Sequence, residues 1–499
     1  MKGAEIEKGL VASTISTKLC EKQQSKMDII SSSIFGVPGI NTEEIDLALG
    51  EFFFGCNIPM NVVESPRFKK FLQLLNSSYR PPTRKRLSKI ILDKVHQNVM
   101  KERIQTQGSE GVLICDGWKN SAANTKNVVC IIHNVNEKSI FLKSWDFTEL
   151  RETSHQLKDI VKEAVQLANE KFKISIYAVV SDNASPMIAM GRQVNIWHST
   201  CHSHSANLLA KSLVPMDFAQ SVSNLLREFR MTSAERELKN RGGSRIILPC
   251  QTRWCSYRDA FRCCLKNLHL MRTLVDEQKV TIATHNLRLL SESSFETQLQ
   301  DCIILFDPIC ELINLCRSDA SIADACEKWL KLNIPTDDDS IIKTFQARLK
   351  KVLTPIVLAA NLMHPQYQGK RFFHQENERA MALDFITEQL DIEDQSGLDN
   401  YLNNAGIFQT LQKKGIKSAQ TFWGLAATLH PHLSSLARKL LKIPAASAQI
   451  ERLFSNWSFV HSDLRNRLSV ESSEKLVNVY YSLKMDEMKF EKNYTMFDE

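Results

Sequence analysis

Between Gly111 and Leu213 the chain alternates β-type and helical apolar patterns in a fixed order. Three β-type runs come first: GVLIC, VVCIIHNV and SIFLKSWDF, with Asn134 to Lys138 reading as the turn between the last two. SHQLKDIVKEAVQLANEKF follows, placing Leu157, Ile160, Val161, Ala164 and Val165 on one helical face. Next come a buried strand ISIYAVV, a short helix from about Pro186, a strand NIWHSTC and a helix through SANLLAKSL. The order β-β-β-α-β-α-β-α predicts an α/β core in which a three-stranded meander is extended by crossover strands.

This is the strand order of the ribonuclease H-like fold, here a mixed sheet interrupted by a large all-α insertion and preceded by a helical region. Residues 1–40 read as a flexible polar arm, and 41–108 as a helical, basic region. Within the latter, Pro81-Pro82 divides SPRFKKFLQLLNSSYRPPTRKRLSKIILDK into two helices, because proline cannot continue a helix interior. Arg84, Lys85 and Arg86 open the second helix as a cationic cluster, either a solvated face or a DNA phosphate contact. Residues 109–260 hold the first part of the core, 261–420 an all-helical insertion, 421–485 three short amphipathic helices, and 486–499 a tail. The helices of 421–485 suit packing on each other or on a second copy of the chain.

With 43% apolar and 24% charged residues among 499, the chain is not of a disordered class. A net charge of +7 is compatible with nucleic acid without requiring it. The thirteen cysteines follow no ladder of spacings, the opening MKGAEIEKGL carries charge where an export signal is apolar, and runs such as CIILF are too short to span a bilayer. A soluble intracellular protein with reduced thiols and no membrane partner is expected.

Two strands end on acids. GVLICDGW delivers Asp116 and VVSDNA delivers Asp182. Asp-Gly is a tight-turn pair, and Asp182 precedes a helix start at Ser185-Pro186, so both acids have a local explanation. In a ribonuclease H-like sheet, however, the first and fourth strands lie side by side and parallel, which brings Asp116 and Asp182 to neighbouring positions. Paired carboxylates call for a cation, and hard divalent ions prefer such oxygen ligands. Two such ions, Mg²⁺ or Mn²⁺, can clamp the attacking and leaving oxygens of a phosphodiester. In AQIERLFSNWSFV, Ile450, Leu453, Phe454, Trp457 and Val460 form one helical face, with Glu451 at its edge.

At this point the chain resembles the hAT-superfamily transposases and host proteins derived from them. FWGLAATLHPHLSSLARKLLKIPAASAQIERLFSNWSFVHSDLRNRLS looks like their C-terminal dimerisation region, through Trp423, Pro444, Ser447, Glu451, Arg452, Phe454, Ser455, Arg465, Asn466 and Leu468. CDGW and SDNAS are similar to the family's first two acidic motifs. Cys201 and His204 match its Cys-x-x-His motif, Arg253 and Trp254 its Arg-Trp motif, and NLMHPQYQGK its Pro-x-Tyr-x-Gly segment. The resemblance implies a catalytic and metal-binding triad of Asp116, Asp182 and Glu451 for DNA cleavage and strand transfer. It implies DNA contacts from Arg253 and Trp254, the latter stacking on an unpaired base, and a homodimer through a C-terminal region that completes the core, including Leu453, Phe454, Trp457 and Leu468.

Zinc is not expected at Cys201 and His204, since two ligands fall short of a tetrahedral site. Cys20 and Cys56 are the only cysteines before Gly111, so the family's N-terminal BED-type zinc finger is expected to be missing. The expectation is an hAT-like transposase or domesticated derivative. The alternative is a non-enzymatic nuclear factor that binds DNA or protein and uses the same fold as a dimerisation scaffold. PTRKRLSK, from Pro82 to Lys89, is a basic cluster consistent with the nucleus.

Overall fold

The structure is a computed structural model that describes residues 41–104, 109–120, 124–134, 139–250, 255–460 and 470–495. Its centre is a five-stranded sheet in the order β3-β2-β1-β4-β5, with β1 Ser109–Asn120, β2 Thr125–Asn134, β3 Ser139–Asp146, β4 Ile174–Ser181 and β5 Trp197–Thr200. β1, β2 and β3 pair antiparallel; β4 lies parallel to β1, and β5 parallel to β4. This is the strand arrangement of a ribonuclease H-like core, as the sequence order predicts. The expected 134–138 turn is bracketed by the pair His133↔Ser139, and residues 135–138 lie outside the described residues.

Side-chain alternation separates the two faces of β1. Leu113 and Cys115 join Val128, Cys130 and Ile132 under the Ser154–Phe172 helix, which contributes Leu157, Val161 and Ala164. Val112 and Ile114 face the other way, with Val129, Ile131, Ala178 and Val180, into a core shared with the helical part of the chain. Apolar residues on both faces explain why GVLIC reads as a continuous run rather than an alternation.

From His202 onward every element of the described residues is helical, so the helical run begins well before the expected insertion boundary at 261. The chain returns to the sheet with the Ala448–Val460 helix, which packs on β1, and the Val470–Thr495 helix, which packs on β3 and on the N-terminal helices Thr42–Gly55 and Leu92–Glu102. The C-terminal helix is longer than the short one expected and absorbs the start of the tail. Asp486 pairs with the buried Arg103 at 2.7 Å, and Lys475 with Asp93 at 2.7 Å. The polar arm, residues 1–40, lies outside the described residues.

Candidate functional site

Asp-Gly is not a turn here. β1 runs on through Asp116↔Val129 and Gly117↔Val128 to Asn120↔Thr125, while its parallel neighbour β4 stops at Ser181, opposite Cys115. Asp116 is therefore the first β1 residue beyond the end of β4, and Asp182 is the first residue after β4. Both continue the alternation that puts Val112, Ile114, Ala178 and Val180 on one face. The two carboxylates thus leave the same face of the sheet at adjacent positions.

The Ala448–Val460 helix covers that face. Trp118, two residues beyond Asp116 and on its side of the strand, stacks on Phe454 with ring centroids 5.5 Å apart and planes 8° from parallel. Trp457 meets the same indole at 5.4 Å, and Phe141 of β3 at 6.1 Å. Glu451 lies one helical turn before Phe454, so the ring stack brings the third acid toward the first two. Glu451 is half-buried, not a solvated surface glutamate, and burial raises its carboxyl above the ordinary range against the pull of Arg317 and Arg452.

Asp116 carries the electrostatic signature of the site. Burial, then the negative charges of Asp182 and Glu451, hold its carboxyl well above the usual aspartate range. The Gly117 N–H donates to Asp116 Oδ1 at 2.8 Å and opposes that rise. Asp182 is oriented locally, its Oδ1 accepting from the Ala184 N–H at 3.0 Å, while Asn183 donates to Ser205 at 2.8 Å.

The sequence did not single out Glu152. It also adds negative charge to the field at Asp116 and forms an ion pair with Lys126 at 3.2 Å. A Cβ at residue 117 would meet its carboxylate at 3.0 Å, so the glycine leaves room for Glu152 beside Asp116. Glu152 follows β3 in a connecting segment with no apolar periodicity, so no pattern marked it.

Cys201 and His204 act on different neighbours. The buried Cys201 Sγ accepts from the Ser447 N–H at 3.4 Å and lies 3.1 Å from Ser203 Oγ, and the His202 N–H donates to Ala445 O at 2.9 Å. On its other side the same segment is tied to the helical block: Ala445 N–H to Ala320 O and Ile322 N–H to Ile443 O, both at 2.9 Å. Pro444 to Ser447 is thereby stitched to the end of β5 and to the helical block just before the Glu451 helix begins. His204 is half-buried and sits in the fields of Asp182, Lys211 and Arg348. His198, bonded to Ser181 Oγ at 2.9 Å, is driven down to about 4 by burial and stays neutral.

The remaining candidates stand in different surroundings. Arg253, Trp254 and Leu468 lie outside the described residues. Arg84 and Lys85 are exposed, but the Arg86 guanidinium reaches the buried Asp46 at 3.2 Å, which also accepts from Tyr79 Oη at 2.8 Å. Arg86, itself half exposed, thus forms an ion pair that ties its helix to Thr42–Gly55. Leu453, Phe454 and Trp457, expected as dimer contacts, are buried within one chain. They are 0%, 9% and 3% exposed within a single chain, consumed by the packing of the helix on the sheet.

Three half-buried acids supply the oxygen donors that Mg²⁺ or Mn²⁺ prefers. Among the described residues no three His, Cys, Asp or Glu side chains converge closely enough to hold an ion together. Mg²⁺ keeps several waters and needs only one or two carboxylates, which the adjacent Asp116 and Asp182 can offer. The donor set therefore fits a hydrated divalent ion. No helix among the described residues is long and apolar enough to cross a membrane.

Two family models match the chain. A domain of unknown function, DUF659, matches residues 82–230, which include the whole sheet, Asp116, Asp182, Cys201 and His204. The hAT family C-terminal dimerisation region matches residues 398–483, which include the Glu451 helix. No curated protein matches the chain. Matches of this kind on either side of the helical block, together with the ribonuclease H-like sheet, indicate an hAT-family transposase or a derivative of one.

Proposed function

We propose that this protein is a divalent-metal-dependent DNA nuclease and strand transferase that works as a homodimer in the nucleus. The observation that carries the reading is Asp116: a carboxyl raised well above its ordinary range by burial and by two further acids, brought to it by a parallel strand and a late helix. An arrangement with that much uncompensated negative charge is suited to a cation. Asp116 and Asp182 would hold Mg²⁺ or Mn²⁺, with Glu451 completing the acidic surround. When bound, the metal would supply Lewis-acid stabilisation of the phosphodiester and activation of the attacking hydroxyl. The chain's own contribution is to fix the acids on rigid elements: Gly117 N–H orients Asp116, Ala184 N–H orients Asp182, and the Trp118–Phe454 stack with the Cys201–Ser447 contact sets the Glu451 helix.

The test is nicking of duplex or hairpin DNA in Mg²⁺ or Mn²⁺, with Asp182→Asn as control. Activity that depends on Asp182 supports the reading, and equal activity in the variant removes it. A second reading, a non-catalytic scaffold that binds DNA or protein, is favoured by one observation: no three ligands of the site converge on a common point. Calorimetric titration with Mn²⁺ separates the two, because heat that disappears in Asp116→Asn requires the acidic site to take up metal.

A further inference from the structure

The Asp339–Val352 helix turns an apolar stripe of Ile341, Phe345, Leu349 and Val352 toward the core. Arg348 falls inside that stripe, three residues after Phe345 and four before Val352. It is half-buried, and among the described residues it makes no hydrogen bond or ion pair. Burial alone holds its guanidinium below the ordinary arginine range, with no acid opposing it. A charge taken partly out of water is costly unless an opposite charge meets it.

The place where Arg348 stands is specific. Its helix packs along His202–Leu213, whose His204 lies in the fields of Asp182, Lys211 and Arg348. His204 and Lys211 are seven residues apart and share a helix face. Lys211 is exposed and borders a small cavity with Cys255, Tyr257 and Arg258, which follow Arg253-Trp254 in the chain. Two cationic side chains, Arg348 and Lys211, therefore share with Asp182 the surroundings of His204. A guanidinium is a planar, bidentate donor matched to phosphate oxygens, and it keeps its charge where a lysine would lose it.

We propose that Arg348, assisted by Lys211, is a phosphate-binding subsite donated by the helical block, holding the backbone of the DNA strand beside Asp182. The proposal rests on the nuclease reading above and adds a residue from an element that carries none of the acids. DNA is the favoured occupant over an acidic peptide because, on the nuclease reading, a phosphodiester held there is also the substrate of the acidic site, and its phosphate oxygens match the planar guanidinium fork.

The experiment is fluorescence anisotropy of a labelled duplex titrated with the full chain over a range of salt concentrations. Arg348→Ala is expected to weaken binding about 10-fold at low salt and to lower the slope of log K against log salt by about 1. Arg348→Lys is expected to keep the slope and lose part of the affinity. Arg348→Met, which fills the same space without charge, is expected to melt at or above the wild-type temperature while binding as weakly as Arg348→Ala. Unchanged affinity and slope in Arg348→Ala overturn the proposal, as does a clear drop in the melting temperature of Arg348→Met, which would reveal an internal partner. Displacement of the duplex by inorganic phosphate at matched ionic strength would make the subsite one for small anions and would also overturn it. A wild-type chain that binds no duplex at all removes the nuclease reading together with this one, whereas normal binding with an indifferent Arg348 removes only this one.

Discussion

Trp118 lies flat against Phe454, ring centroids 5.5 Å apart and planes within 8° of parallel, and this contact joins the first acid of the site to the third. Asp116 is two residues from the tryptophan on the same strand face, and Glu451 is three residues from the phenylalanine on its helix. A stack of two rings fixes both the height and the rotation of the helix over the sheet.

Trp118→Ala should therefore destabilise the chain by about 2–4 kcal/mol, from lost burial and the lost aromatic pair. Trp118→Phe should recover most of it. Denaturant midpoints measure both, and an alanine variant as stable as wild type would mean the helix is held elsewhere.

The raised carboxyl of Asp116 makes stability depend on pH. Asp116 keeps its proton to higher pH in the folded chain than in the unfolded one. Its stabilising contribution is complete below the ordinary aspartate value of about 4 and is lost as pH rises through the raised value. Asp116→Asn should accordingly melt higher than wild type at neutral pH in chelator, by about 1.4 kcal/mol per pKa unit of rise, with the gap closing at acid pH. A gap that widens on acidification would contradict this.

Removing Cys201 Sγ leaves the Ser447 N–H without its acceptor. Cys201→Ala should cost about 1–3 kcal/mol and speed hydrogen exchange of the amides at the start of the Glu451 helix. Exchange that stays at the wild-type rate would show that the backbone ties to Ala320 and His202 suffice on their own.

Since Leu453 and Trp457 are consumed inside the chain, Leu453→Ala and Trp457→Ala should each lower unfolding stability by about 2–5 kcal/mol. Analytical ultracentrifugation should find their self-association unchanged at temperatures where they remain folded. A variant that is fully stable yet monomeric would return these residues to a dimer interface.

Cys255 should react ahead of the deeply buried thiols. A hydrogen bond from Cys310, with Arg258 and Arg317 nearby, holds it below the ordinary thiol range, whereas burial and its neighbour push Cys310 up. Iodoacetamide at neutral pH followed by peptide mapping should label Cys255 well ahead of Cys264 and Cys326, which are buried and pushed far above that range. Equal labelling of all three would show that the Cys310 hydrogen bond does not lower Cys255.

The sequence by itself determined the sheet. Strand order and apolar period are local properties of the chain, and the pairing β3-β2-β1-β4-β5 follows from them once a meander is followed by crossovers. The positions of Asp116 and Asp182 were equally legible, because each stands a fixed step beyond an apolar run. Position along the chain could not tell which burials were intramolecular. Phe454 and Trp457 read the same whether they face a second copy or their own sheet, and the packing of these rings against Trp118 and Phe141 appears only in the tertiary structure. Nor could it tell which charges were compensated. Arg86 and Arg348 both belong to basic stretches, yet one meets the buried Asp46 and the other meets no acid among the described residues. Ion pairing and burial depend on residues distant in sequence, and such contacts exist only after the chain has closed on itself.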